Sequence, residues 1–122
     1  MSFVALLSSL LLLLAPSQTD TKVEWLGPLN VELGEVHHQK PTFVRFPFRN
    51  VSPSPLTIDN IRTSCGCTVP DWSDAAVAPG DTSSILIEYD AEKMGYFKQW
   101  IRVFFHGQRK GEHLWIEGEV VD

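Results

Sequence analysis

Cys65-Gly66-Cys67 holds both cysteines of this 122-residue chain. A thiol pair with one residue between can close on itself as a disulfide, offer two thiolates to a soft ion such as Cu(I) or Zn²⁺, or exchange with another disulfide. In an extended strand the two Cα atoms would lie about 6.6 Å apart, against an outer limit of about 6.8 Å for an unstrained disulfide. A bend at Gly66 brings them into range, because glycine tolerates an unusual φ. The chain-entropy argument values so small a ring at about 1.6 kcal/mol, compared with about 3 for a fifteen-residue loop.

Three readings of the motif therefore stand together. The first is a local structural pair, or two buried thiols packed beneath Trp72. The second is a metal site through Cys65 and Cys67, which needs further ligands. His37, His38, His106 and His113 are the only imidazoles, and their spacing points to no known site. The third is a thiol–disulfide site, although the spacer is one residue rather than two and no βαβ pattern surrounds it.

A second feature lies in the last quarter of the chain. Alternation over 97–121 puts Phe97, Ile101, Val103 and Phe105 on one face, with Leu114, Ile116, Gly118 and Val120 on the matching face of a partner strand. The opposite face then carries Lys98, Trp100, Arg102 and Phe104, and His113, Trp115, Glu117 and Glu119. Gly107-Gln108-Arg109-Lys110-Gly111 links the two as a hairpin, which sets Trp115 opposite Arg102 or Phe104. Aromatics flanked by charges suit a partner surface. They also suit a hairpin stabilising itself by cross-strand pairs at roughly 0.2–1 kcal/mol each.

The elements that must hold these features all read as strands. No segment sustains a helical period, whereas apolar–polar alternation recurs between Pro, Gly, Asn and Asp. Val31 and Leu33 form a short strand before Gly34. Val44, Phe46 and Phe48 alternate with Arg45, Pro47 and Arg49. Pro47 has no N–H, so this is an edge strand, or Pro47 sits where its donor would have pointed outward. Leu56, Ile58 and Ile61 change spacing from two to three, which suggests a bulge near Asp59-Asn60. Ala78-Pro79-Gly80-Asp81 is a turn, and Ile85, Ile87 and Tyr89 mark a further strand. Six or seven short strands predict an all-β, immunoglobulin-like sandwich of about seven strands. The cysteines are too close together to be an inter-sheet bridge.

Phe46-Pro47-Phe48-Arg49-Asn50, Ser64-Cys65-Gly66-Cys67-Thr68, Pro79-Gly80-Asp81, Gly95-Tyr96-Phe97 and Ile116-Glu117-Gly118-Glu119-Val120 occur in an order that resembles the bacterial domain-of-unknown-function family numbered 1573. The likeness runs from about Val31 to Val121. It implies an exported protein with a Hydin-type immunoglobulin-like fold, and it implies no activity.

Charge and leader bound the rest. No charged residue precedes Asp20, and Val4 to Leu14 is apolar apart from Ser8 and Ser9. That run is too short to span a membrane, and with Ala15-Pro16-Ser17 after it reads as a signal peptide over 1–17. Residues 18–30 read as a linker and 31–122 as the domain, with no transmembrane segment in the mature chain. About 105 residues then make one core. The net charge of −5 argues against nucleic acid and anionic membranes as partners. Asn50-Val51-Ser52 fits a glycosylation pattern with Pro53 directly behind it. No Gly-x-Ser-x-Gly element or calcium loop is present, and no cofactor motif is legible. The expectation is a non-enzymatic, periplasmic or extracellular module that binds another envelope or secreted protein.

Overall fold

The computed structural model describes residues 21–122, so the leader read at 1–17 lies outside the described residues. Eight strands follow in order: β1 (Val23–Trp25), β2 (Asn30–His37), β3 (Thr42–Asn50), β4 (Ile58–Thr63), β5 (Thr68–Asp71), β6 (Thr82–Tyr89), β7 (Gly95–Phe105) and β8 (Glu112–Val121). They form two four-stranded sheets, β1-β3-β6-β5 and β2-β8-β7-β4. Every pairing is antiparallel except that of β2 with β8. Among the described residues no helix is long and apolar enough to cross a membrane.

The period of two decides which side chains meet between the sheets. Val44, Phe46 and Phe48 of β3 and Ile85, Ile87 and Tyr89 of β6 face Ile101, Val103 and Phe105 of β7 and Leu114, Ile116 and Val120 of β8, all buried. Each contributes about 1.5–3 kcal/mol by leaving water. Phe48 and Phe105 meet edge to face at 5.2 Å, with Trp25 against both at 5.7 and 6.2 Å.

The sandwich class stands, with one strand more than the sequence suggests. Strand β1 lies in the segment read as a linker. Three residues are too few for an alternation to register. Pairing with Phe48–Asn50 and the packing of Trp25 make the strand. Gly34 does not end its strand either. It takes a φ of 65° where the β2–β8 register shifts between Glu32 and Glu35, and β2 continues to His37.

Pro47 is not on an edge strand. Strand β3 lies between β1 and β6. The Leu26 N–H donates to the Pro47 carbonyl at 2.9 Å, and nitrogen and oxygen of one strand residue point to the same neighbour. The missing donor thus falls just past the last β1–β3 pair, Trp25 with Phe48. In β4 the register with β7 shifts between Ile58 and Asn60, where the apolar spacing changes.

Candidate functional site

Strands β4 and β5 belong to different sheets, and Ser64 to Cys67 carry the chain from one to the other. The two sulfurs of this corner are bonded to each other, with the Cα atoms 5.1 Å apart. The cysteines are not on an extended strand, because Thr68 N–H donates to the Cys65 carbonyl at 3.1 Å and closes a tight turn. Gly66 and Cys67 are the central residues of that turn, and neither has a positive φ. The bend thus needs no glycine-only conformation, contrary to the expectation from sequence. A Cβ on Gly66 would meet nothing within 4 Å.

The corner is held by several bonds besides the sulfurs. The Thr63 hydroxyl shares its one proton between the carbonyls of Cys65 and Thr68, each at 3.0 Å. Asp90 N–H donates to the Cys67 carbonyl at 2.9 Å, and Ser64 N–H to the Trp100 carbonyl at 3.1 Å. The Cys67 N–H lies 3.1 Å from the Cys65 sulfur, and the Cys67 sulfur 3.7 Å from the Thr68 hydroxyl. Both cysteines line a cleft of about 370 Å³ with Tyr89, Tyr96, Phe97, Lys93 and Lys98. Tyr89 and Phe97 stack at 3.9 Å. Burial pushes the Tyr89 phenol up, and neighbouring Asp90 adds to it. Trp72 lines a separate groove with Arg45, Asp71 and Leu86, and the aromatic residues lining the cleft beside the cysteines are Tyr89, Tyr96 and Phe97.

The second feature is the outer face of the β2-β8-β7-β4 sheet. Trp115 stands opposite Trp100, not opposite Arg102 or Phe104. The β7–β8 ladder ends at Val103 with Glu112, so the connection is longer than the link read from Gly107 to Gly111, and the register moves with it. Arg102 stands opposite His113, and its guanidinium lies 5.5 Å from the Trp100 ring centre. Phe104 pairs instead toward β4, opposite Asn60, with Arg62 at 6.0 Å from its ring. His113 stacks on Trp115 at 6.0 Å. Arg102, Phe104 and Trp115 are half-buried, whereas Trp100 is 38% exposed.

Tyr96 is a member of this face that the sequence reading passed over, although it shares the even-numbered side of β7 with Trp100. It is 69% exposed. Its hydroxyl donates to Glu117 Oε2 at 2.6 Å, and Asn30 donates to Glu117 Oε1 at 2.8 Å. The Tyr96 bond, then the Asn30 bond, hold the Glu117 carboxyl below its ordinary value, with Lys98 adding to the effect. The same bond raises the Tyr96 phenol.

The metal reading would need free thiolates and further ligands. His106 is instead paired with Asp59 at 3.1 Å on the surface, and His38 lies 3.1 Å from the Glu92 carbonyl. No group of three or more His, Cys, Asp or Glu among the described residues is placed to hold an ion.

Solved structures place the fold. A PapD-like domain of human CEP192 superposes with a TM-score of 0.70 at 9% identity, over 84% of this chain and 87% of that one. A protein of unknown function from Porphyromonas gingivalis gives 0.65 at 20% identity, over 80% of this chain and 46% of that one. The secreted serine protease VesC from Vibrio cholerae gives 0.60 at 11% identity, over 82% of this chain and 23% of that one. At these identities the likeness is one of fold alone. No curated protein matches the chain. Residues 27–120 match the family described as "Protein of unknown function (DUF1573)", and the chain belongs to that family.

Proposed function

We propose that the chain is an exported, non-enzymatic binding or accessory module of the cell envelope. Its contact surface is the outer face of β7 and β8 around Trp100, Arg102, Phe104 and Trp115, and its partner is another envelope or secreted protein. One observation carries the reading: Trp100 is exposed at the middle of a sheet face, backed by Trp115 across the ladder and by the Arg102 guanidinium. Tryptophan, tyrosine and arginine are the residues that anchor protein interfaces, because each buries a large area while keeping a polar handle.

The apolar leader at 1–17 and a cysteine pair joined as a disulfide support an oxidising compartment outside the cytosol. The VesC likeness covers only 23% of that secreted protease, so this type of sandwich occurs there beside a larger remainder.

The test is a pull-down from envelope extract with the full mature chain. Trp100→Ala combined with Trp115→Ala should lose the captured protein while keeping the fold, since cross-strand pairs contribute only about 0.2–1 kcal/mol each. Retention of every interaction by the double variant would sink the surface assignment.

A further inference from the structure

We infer that Cys65 and Cys67 form a reversible thiol–disulfide exchange site for small peptide thiols of the glutathione type, with Cys65 as the attacking sulfur and Cys67 as the resolving one. The inference goes beyond the docking reading and uses a different part of the molecule.

A disulfide kept as a staple joins segments that nothing else holds. Here the bond closes the ring from Cys65 to Cys67, at the short-loop end where cross-links stabilise least. The same corner is already fixed by the Thr63 hydroxyl on two carbonyls, by Thr68 N–H on Cys65, by Asp90 N–H on Cys67 and by Ser64 N–H on Trp100. None of these bonds involves sulfur. The S–S bond can therefore open without releasing the crossover between the sheets.

The two sulfurs are also unequal. The Cys65 sulfur accepts the Cys67 N–H at 3.1 Å, a donor that stabilises negative charge there. Cys67 packs against the hydrophobic core, where a thiolate is disfavoured, and has only a long contact to the Thr68 hydroxyl. Access comes from the cleft of about 370 Å³ that both cysteines line, within the size range of small-molecule sites. Its rim offers Lys93 and Lys98 to the carboxylates of a peptide thiol, and Asp90 and Glu92 to its amino group.

The exchange balances without any further reagent. From the dithiol form, the Cys65 thiolate attacks one sulfur of RSSR and expels RS⁻, leaving Cys65 in a mixed disulfide. The Cys67 thiolate then attacks the Cys65 sulfur and expels the second RS⁻. The ring closes, and the two thiol protons of the protein end on two RSH. Excess RSH drives the same steps backwards and reduces the pair.

Two measurements on the full mature chain test this. In glutathione redox buffers quenched by alkylation, mass spectrometry should find the oxidised and the reduced pair both populated. With glutathione disulfide as the probe, reduced Cys67→Ser should form its mixed disulfide about tenfold faster than reduced Cys65→Ser. A wild-type pair that stays oxidised across the whole glutathione range overturns the proposal, and so do equal or reversed rates for the two variants. The wild-type titration decides even if a variant unfolds. Neither readout involves a partner protein, so failure here leaves the docking face untouched.

Discussion

Asn50 is fully buried and its side chain uses all of its hydrogen-bonding capacity. Nδ2 donates to the carbonyls of Ser54 at 2.9 Å and Val77 at 2.8 Å. Oδ1 accepts from the Ser52 N–H at 2.9 Å and the Ser52 hydroxyl at 2.7 Å. Its backbone N–H donates to Asp81, and its carbonyl accepts from Gly80. One residue thus ties the end of β3 to the loop behind it and to the turn before β6. Asn50→Ala removes four bonds, each with a net contribution of about 1 kcal/mol, and leaves the Val77 carbonyl with the Leu56 N–H as its donor. Water reaching the exposed side of the loop recovers part, so the expected loss is about 3 kcal/mol. In a domain of this size that is a fall in Tm of roughly 15 °C.

Asn50→Asp keeps the shape and the acceptor but turns lone pairs toward two carbonyls, and should be worse than Asn50→Ala at neutral pH. The fold would then hold the new carboxyl's pKa above its unfolded value of about 3.9. Between the two values the folded state binds more protons, so this variant loses stability as pH rises through that window and regains it as pH falls. Urea unfolding followed by tryptophan fluorescence, at neutral and mildly acidic pH with the slope m checked, reads both effects. An Asn50→Ala variant within about 1 kcal/mol of the parent refutes this, and so does an Asn50→Asp variant that is the more stable of the two at neutral pH. The same burial bears on the Asn50-Val51-Ser52 pattern, because in the folded chain Nδ2 is sequestered between two carbonyls.

Four further outcomes are expected. Tyr96→Phe should let the Glu117 carboxyl rise toward its ordinary 4.5 in an NMR titration, incompletely because Asn30 still donates. The depressed Glu117 pKa contributes stability above the unfolded carboxylate value that is lost as pH falls through the folded one. The raised Tyr96 pKa contributes stability below 10.0 that is lost as pH rises through the folded value, so the variant should flatten both arms. Gly66→Ala should leave Tm unchanged or raise it by the equivalent of up to about 1 kcal/mol. Gly118→Ala, whose Cβ would sit 2.7 Å from the Gly34 carbonyl and 3.0 Å from Phe97, should cost about 1–3 kcal/mol in the same melt. Reduction of Cys65–Cys67 should leave the domain folded and lower its stability by about 1.6 kcal/mol, read as a shift in the urea midpoint with and without dithiothreitol.

The strand pattern, and with it the two-faced sandwich, is legible in the residues themselves. A period of two assigns Val44, Phe46 and Phe48, or Ile101, Val103 and Phe105, to one face whatever the strands pair with. The cysteine motif is legible for the same local reason, since Cys65 and Cys67 cannot be far apart in any fold. What alternation does not carry is register and order. Trp115 meets Trp100 because the β7–β8 ladder stops at Val103, while Phe104 is drawn toward β4, a partner distant in sequence. Strand β1 exists only because β3 and the Phe48–Phe105 pair are there to receive Glu24 and Trp25. Asn50 reads as a turn residue until Ser54 and Val77 bring their carbonyls to it. The sequence by itself settled which side of a strand each residue occupies, because that follows from backbone geometry alone. Which residues face each other across strands was decided only by the tertiary structure, because pairing depends on where loops stop a ladder and on contacts that no local window contains.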